Sequence, residues 1–210
     1  MISSMKKRLL VLATLAFFGF AFAQEATQFT ASDGLKIYAR FYPQGRAKAT
    51  IMAFHQAEGS KGEYAKIAPR LSELGFNLLA VDQRSGGSMS GEPNETVQAN
   101  NGKVSSHIDA LPDLEAALNW VRNDERTRDS KLIAWGSSYS SSLALKASVF
   151  IASTSEEKYE AKSIFSAIPH KNKIFSVPKG AGFHGSNALN LPISSQEYWA
   201  ATEQFLAWFK

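Results

Sequence analysis

Ser138 has the setting that most invites chemistry. It lies in Gly136-Ser137-Ser138-Tyr139-Ser140, directly after the apolar run Lys131-Leu132-Ile133-Ala134-Trp135 and directly before a stretch of small residues. A strand, a sharp turn and a helix with serine at the apex push the hydroxyl out of the sheet plane. They also leave N–H groups of the first helical turn open to developing negative charge. The backbone folds tightly there, so the residues two before and two after the apex must be small. Gly136 meets this, and Ser140 is small but stands where glycine is usual. The chemistry implied is nucleophilic attack by a serine hydroxyl. A Gly-x-Ser-x-small pentapeptide arises easily in so serine-rich a stretch. Its place after a buried strand is what gives it weight.

A serine hydroxyl needs a base. The chain has four histidines. His184, in Lys179-Gly180-Ala181-Gly182-Phe183-His184-Gly185-Ser186, follows the last predicted strand and precedes the last helix. That puts it in a glycine-rich loop on the rim that carries Ser138. The plain alternative is a solvated loop histidine, and the position and flanking glycines argue against it. His170 precedes the same strand, on the opposite rim. His107 sits ahead of a helix as a solvated or capping neighbour, and His55 follows the strand Ala49–Phe54.

The base needs a group that orients it and supports its charge. Glu156 is the first candidate and Glu157 the second, because both follow the apolar run Val149 to Ala152. Either could instead open the next helix and favour its N-terminal dipole. Asp82 also ends a strand but lies early in the chain. It reads as structural, holding the loop Arg84-Ser85-Gly86-Gly87. An oxyanion needs two aimed N–H donors. The Tyr139 N–H is one, and the second is expected from Ala57 or Gln56 in His55-Gln56-Ala57-Glu58-Gly59-Ser60.

The elements that must position these groups are legible in the hydropathy pattern. Leu35, Ile37, Ala39 and Phe41 alternate with Lys36, Tyr38, Arg40 and Tyr42, which predicts a half-exposed strand. Asp33-Gly34 predicts a tight turn joining it to a strand near Phe29 in an antiparallel edge hairpin. Ala49 to Phe54, Phe76 to Val81 and Leu132 to Trp135 are continuous apolar runs, as strands buried on both faces require. Val149 to Ala152 and Ile174 to Val177 add two more. Between them, helices are predicted over Tyr64 to Leu74, Ile108 to Val121 and Ala161 to Ile168, with a last one carrying Tyr198, Trp199, Phe205, Leu206 and Phe209. This alternation predicts an α/β domain, a mostly parallel sheet with helices on both faces. Right-handed crossovers set the C-terminal ends of the parallel strands on one rim, where sites form. The run Ser85 to Ser106, rich in Gly, Ser and Asn, is expected to be a mobile loop lining an acyl pocket.

The first 23 residues read as a leader rather than as fold. Lys6, Lys7 and Arg8 precede an apolar run, Leu9 to Phe22, and Ala21-Phe22-Ala23 is a small-x-small cleavage site. The expectation is an exported protein, periplasmic or secreted, with one domain over 24–210 and no stable membrane insertion after cleavage. The formal charge of +4 then falls to +1, with 20 basic residues against 19 acidic. That balance speaks against a nucleic-acid partner. With no cysteine, disulfides, thiol chemistry and thiolate metal sites are excluded.

Taken together these residues resemble the α/β-hydrolase superfamily, near its dienelactone-hydrolase-like and small carboxylesterase-like branches. His55-Gln56-Ala57 resembles the family's His-Gly-x turn, with Gln in place of Gly. Asp82-Gln83-Arg84-Ser85-Gly86-Gly87-Ser88 resembles its Asp-x-Arg-x-Gly-Gly-x-Ser loop. Ser138, Glu156 and His184 match its triad by order and context. The resemblance implies hydrolysis of a small acyl substrate without cofactor or metal. The chain departs from the family between Ser138 and Glu156, which are only 18 positions apart. That interval predicts a fold shortened by about one strand and the lid, one strand fewer than the family's eight, and an open site. Two other readings stand beside this one. One is a non-catalytic binding module with a disrupted triad, and the other a hydrolase-fold acyltransferase.

Overall fold

The computed structural model describes residues 23–143, 149–154, 156–167, 173–178, 182–191 and 195–209. The first 22 residues of the segment expected to be a leader, and His170, lie outside the described residues. β1 (Glu25–Thr30) and β2 (Lys36–Tyr42) pair antiparallel around the Asp33-Gly34 turn. Gly34 takes φ +88° there, where glycine alone is unstrained. β2 pairs antiparallel with β4 (Phe76–Asp82), and β3 (Ala49–Phe54) runs parallel to both β4 and β5 (Lys131–Gly136). The sheet order is β1-β2-β4-β3-β5. β3, β4 and β5 are thus parallel and the N-terminal hairpin antiparallel, as the sequence predicts, but only β3 and β4 are buried on both faces; β5 is the edge of the sheet and only its Ile133 is buried.

Alternate residues of the core strands feed two apolar layers, as the two-residue period of a strand requires. Ile51, Ala53, Leu78 and Ala80 face one layer with Tyr64, Ile67, Leu71, Trp199 and Phe205. Met52, Phe54, Leu79 and Val81 face the other with Leu114, Ala117 and Val121. The first layer is covered by α1 (Ala68–Glu73) and α6 (Ser195–Leu206), and the second by α3 (Leu111–Asn123).

Two predicted helices break where prolines fall. The stretch from Tyr64 is a 3-10 turn over Lys61–Tyr64 followed by α1, with Pro69 in its first turn. Ile108–Ala110 is likewise a 3-10 turn before α3, with Pro112 in the first turn. Proline lacks the N–H an inner turn needs, so each α-helix begins with its proline in the first turn, one residue in.

Two expectations are corrected. The run Ser85 to Ser106 is anchored rather than loose, and it contains the short helix α2 (Glu95–Ala99). Asn94, 2 % exposed, caps α2 by accepting from the Val97 N–H and also donates to Gln83 O. The Thr96 hydroxyl donates to Asp82 O, and the Ser105 N–H to Arg84 O. The expected single sheet is not what forms: among the described residues seven strands lie in two sheets. β6 (Val149–Ala152) pairs in parallel with β7 (Lys173–Ser176), in a two-stranded sheet of its own. Only 12 residues join β5 to β6. Of that connection the structure describes α4 (Tyr139–Leu143), and α5 (Lys158–Ala167) then leads from β6 toward β7.

Candidate active site

Ser138 sits between β5 and α4 with φ +54°. Left-handed backbone costs a side-chain-bearing residue about 1–2 kcal/mol. Strain of this kind persists only where the surroundings enforce it. The enforcement is visible. The Ser137 N–H donates to Phe54 O at 2.9 Å, which ties the turn to the end of β3. A Cβ on Gly136 would run into the backbone of Ser140 and Ser141, so that position admits no side chain. Ser140 is under no such constraint. Its fully buried hydroxyl lies 2.7 Å from His55 O and 2.9 Å from Gln83 Oε1, joining the turn to the ends of β3 and β4. Serine in place of the usual glycine therefore reinforces the turn.

His184 meets a carboxylate, but the second of the two candidates. Its Nδ1 lies 2.8 Å from Glu157 Oε1. A carboxylate oxygen accepts, so Nδ1 carries the proton and Nε2 is left with its lone pair. The first choice, Glu156, gives way to Glu157 because of how the turn after β6 is built. Thr154 Oγ1 accepts from the Glu157 N–H at 3.2 Å and lies 3.4 Å from Glu157 Oε2. Thr154, three residues before Glu157, thus holds both the backbone N–H and the carboxylate of that residue. Glu157 immediately precedes α5, and its carboxylate, held by Thr154, reaches His184. That spacing in Thr154-Ser155-Glu156-Glu157 is the signal that would have chosen between the two residues. Both side chains of the pair are about half exposed, at 51 % and 46 %, as an uncovered site requires.

The histidine loop reaches the serine turn. Ser186 N–H donates to Ser137 Oγ at 3.0 Å, and Trp135 Nε1 donates to Ser186 Oγ at 3.2 Å. Gly185, at φ +74°, lies against Gln56 and Ser137 with no room for a side chain. His184 and Ser138 thus sit on the same rim, in segments that touch through their neighbours. Among the described residues Ser138 Oγ makes no hydrogen bond.

The two oxyanion candidates in the 55–60 loop separate cleanly. Gln56 N–H is engaged, donating to Glu63 Oε2 at 2.8 Å, so Gln56 drops out. The Ala57 N–H has no acceptor among the described residues, and neither does the Tyr139 N–H. Each lies on a peptide whose carbonyl is anchored twice. Gln56 O accepts from His55 Nδ1 at 2.7 Å and from the Gly59 N–H at 3.1 Å. Ser138 O accepts from the Ser141 N–H at 3.0 Å and from the Ser141 hydroxyl. In a planar trans peptide the N–H points opposite to the C=O. Both free N–H groups are therefore aimed away from the framework that fixes their carbonyls.

The remaining candidates have structural roles. His55 is fully buried, and burial pushes its pKa down. With Nδ1–H on Gln56 O, its Nε2 accepts from the Gln83 N–H at 2.9 Å, so no nitrogen is left for catalysis. Asp82 is structural as expected but holds different partners. It accepts from the Lys61 N–H (2.6 Å), Lys61 Nζ (2.7 Å) and the Glu95 N–H (2.9 Å). The Arg84 loop is held instead by Asp113 and Asp33. The Arg84 guanidinium lowers the Asp33 pKa to about 2. His107 stacks on Tyr139 with ring centroids 4.2 Å apart, and the Tyr139 and Ser85 hydroxyls are hydrogen bonded. The 85–108 segment therefore walls one side of the turn. Met89, 60 % exposed, reaches Gln56 Nε2 with its thioether. No group of three or more His, Asp or Glu that could hold a metal ion is present among the described residues.

An esterase from Pyrococcus furiosus superposes on this chain with a TM-score of 0.67 over 89 % of this chain and 92 % of its own, at 14 % identity. A dienelactone hydrolase from Anabaena variabilis gives a TM-score of 0.66 over 88 % of this chain and 97 % of its own, at 11 % identity. The chain has a dienelactone-hydrolase-like α/β-hydrolase fold. No family model matches the sequence, and no curated protein matches it significantly. At this level of identity it is the architecture, not the sequence, that the α/β-hydrolase fold shares with these structures.

Proposed function

We propose that this chain is an exported serine hydrolase that cleaves a carboxylic ester or a related acyl substrate. Ser138 Oγ attacks the acyl carbon while His184 Nε2 takes its proton. The negative charge formed on the carbonyl oxygen is met by the Tyr139 and Ala57 N–H groups. When the carbon–oxygen bond to the leaving alcohol breaks, His184 returns the proton to that alcohol. Water then attacks the acyl-serine by the same route, releasing the acid and restoring Ser138. Glu157 holds the Nδ1–H tautomer throughout. The reading calls for no metal and no cofactor, and its partner is a small acyl compound. The exposed Met89 beside Gln56 offers an apolar surface for the acyl chain.

The observation that carries this reading is the left-handed backbone at Ser138 beside a free Tyr139 N–H. A binding module has no use for a strained serine. The competing reading, a non-catalytic module, is favoured by one observation, that Ser138 Oγ lacks a hydrogen bond to His184. Hydrogen bonds of unliganded catalytic groups are often long and tighten only with substrate. Hydrolysis of short-chain p-nitrophenyl esters separates the two. The wild type is expected to turn them over, His184→Ala to lose about 10³-fold or more in kcat, and His170→Ala to stay near wild type. Equal activity in the two variants would remove His184 from the mechanism. Export rests on the leader read from Lys6 to Ala23, and the mature N-terminus is expected at Gln24. N-terminal sequencing that finds Met1 on the exported protein would contradict it.

A further inference from the structure

Glu63 is a buried carboxylate that the reaction sketched above does not use. It is 1 % exposed and lies in the 3-10 turn Lys61–Tyr64, where no sequence pattern marks it as functional. Its two oxygens are divided between two loops. Oε2 accepts from the Gln56 N–H at 2.8 Å, one residue before the Ala57 N–H. Oε1 accepts from the Ser186 N–H at 2.9 Å, two residues after His184. The same Ser186 N–H lies 3.0 Å from Ser137 Oγ, one residue before the nucleophile. One carboxylate thus connects the segments that carry the oxyanion donor, the base and the serine.

We propose that Glu63 is a positioning residue for the Ser138 site, clamping the 55–59 loop and the 184–186 loop to each other. The proposal rests on the hydrolase reading. A carboxylate suits this place because both of its oxygens accept, and both of its partners are backbone donors. A side-chain amide has one accepting oxygen, and its NH₂ would face an N–H. The neighbouring contacts complete the clamp. A Cβ on Gly185 would run into the side-chain oxygens of Gln56 and Ser137, and Gly59, whose Cβ would stand 3.0 Å from Gln56 O, closes the other side of the loop. Any drift of the Glu63 carboxylate therefore moves the Ala57 N–H and the His184 ring relative to Ser138.

The test is steady-state ester hydrolysis by the full chain carrying Glu63→Gln, with Glu63→Asp as a second variant. Aspartate keeps the charge but is one methylene short of spanning both amides. Assays run well below each variant's melting temperature. The expected result is a fall in kcat of about 10²-fold for Glu63→Gln, comparable to loss of one oxyanion donor, and a smaller fall for Glu63→Asp. KM should stay within about threefold, because the clamp sets transition-state geometry rather than substrate contact. A Glu63→Gln protein that melts earlier but keeps the wild-type kcat overturns the proposal, as does failure of both variants to fold. If the wild type shows no Ser138-dependent turnover, the hydrolase reading falls and takes the clamp with it. Normal wild-type turnover with an unchanged Glu63→Gln kcat sinks the clamp alone.

Discussion

Ser138→Ala is expected to lower kcat for ester hydrolysis by roughly 10³- to 10⁶-fold, the range in which removal of a serine nucleophile falls. The residual rate would come from the free Ala57 and Tyr139 N–H groups and from substrate binding alone. Stability should move in a way that identifies why the strain at Ser138 exists. Alanine keeps a Cβ at φ +54° and leaves the strain in place. Glycine removes it, so Ser138→Gly should be equally inactive yet more stable than Ser138→Ala, by up to about 1 kcal/mol once the looser unfolded chain is counted. A residue that costs stability and is required for turnover is what a functional site stores strain for. Chemical denaturation of the two variants beside the wild type measures the difference, and a Ser138→Gly protein less stable than Ser138→Ala would contradict the conformational argument.

The second large effect is expected at Glu157. Glu157→Gln should lower kcat by about 10²- to 10⁴-fold, because an amide can offer an N–H to His184 Nδ1 and so favour the tautomer with its proton on Nε2. That tautomer cannot take the serine proton. Glu156→Gln, one residue away, is expected to stay within about threefold of wild type. The contrast is sharp because the two side chains differ by one step in the chain and share the same exposed turn. A large loss in Glu156→Gln together with a silent Glu157→Gln would reverse the assignment that the 2.8 Å contact supports.

Much of this architecture is legible in the sequence because the core strands are short apolar runs with clear punctuation. Ala49–Phe54 is the strand the hydropathy predicts, residue for residue, Phe76 opens β4 as expected, and the run Leu132 to Trp135 lies inside β5, one residue shorter at each end. The serine turn is legible for the same reason, since Gly136 and a following run of small residues mark a tight strand-to-helix corner. What escapes the pattern depends on contacts between distant segments. Choosing Glu157 over Glu156 takes the two contacts of the Thr154 hydroxyl, a local signal that hydropathy does not carry. Removing Gln56 as an oxyanion donor takes Glu63, seven residues on, and Glu63 in turn takes Ser186, 123 residues beyond it. The 85–106 segment reads as loose from its Gly, Ser and Asn content. Yet Asn94 and Thr96 are buried and bonded to the ends of β4, because the same polar side chains that suit a free loop also satisfy backbone groups at a sheet rim.

The central claim is that Ser138 is an activated nucleophile. The most direct measurement is reaction of the purified protein with a fluorophosphonate, followed by mass spectrometry of the adduct and of its peptides. The account predicts one adduct per chain, located on Ser138, lost in Ser138→Ala and strongly slowed in His184→Ala. Absence of any adduct on the folded wild type, or an adduct placed on Ser137, Ser140 or Ser141 instead, would contradict it.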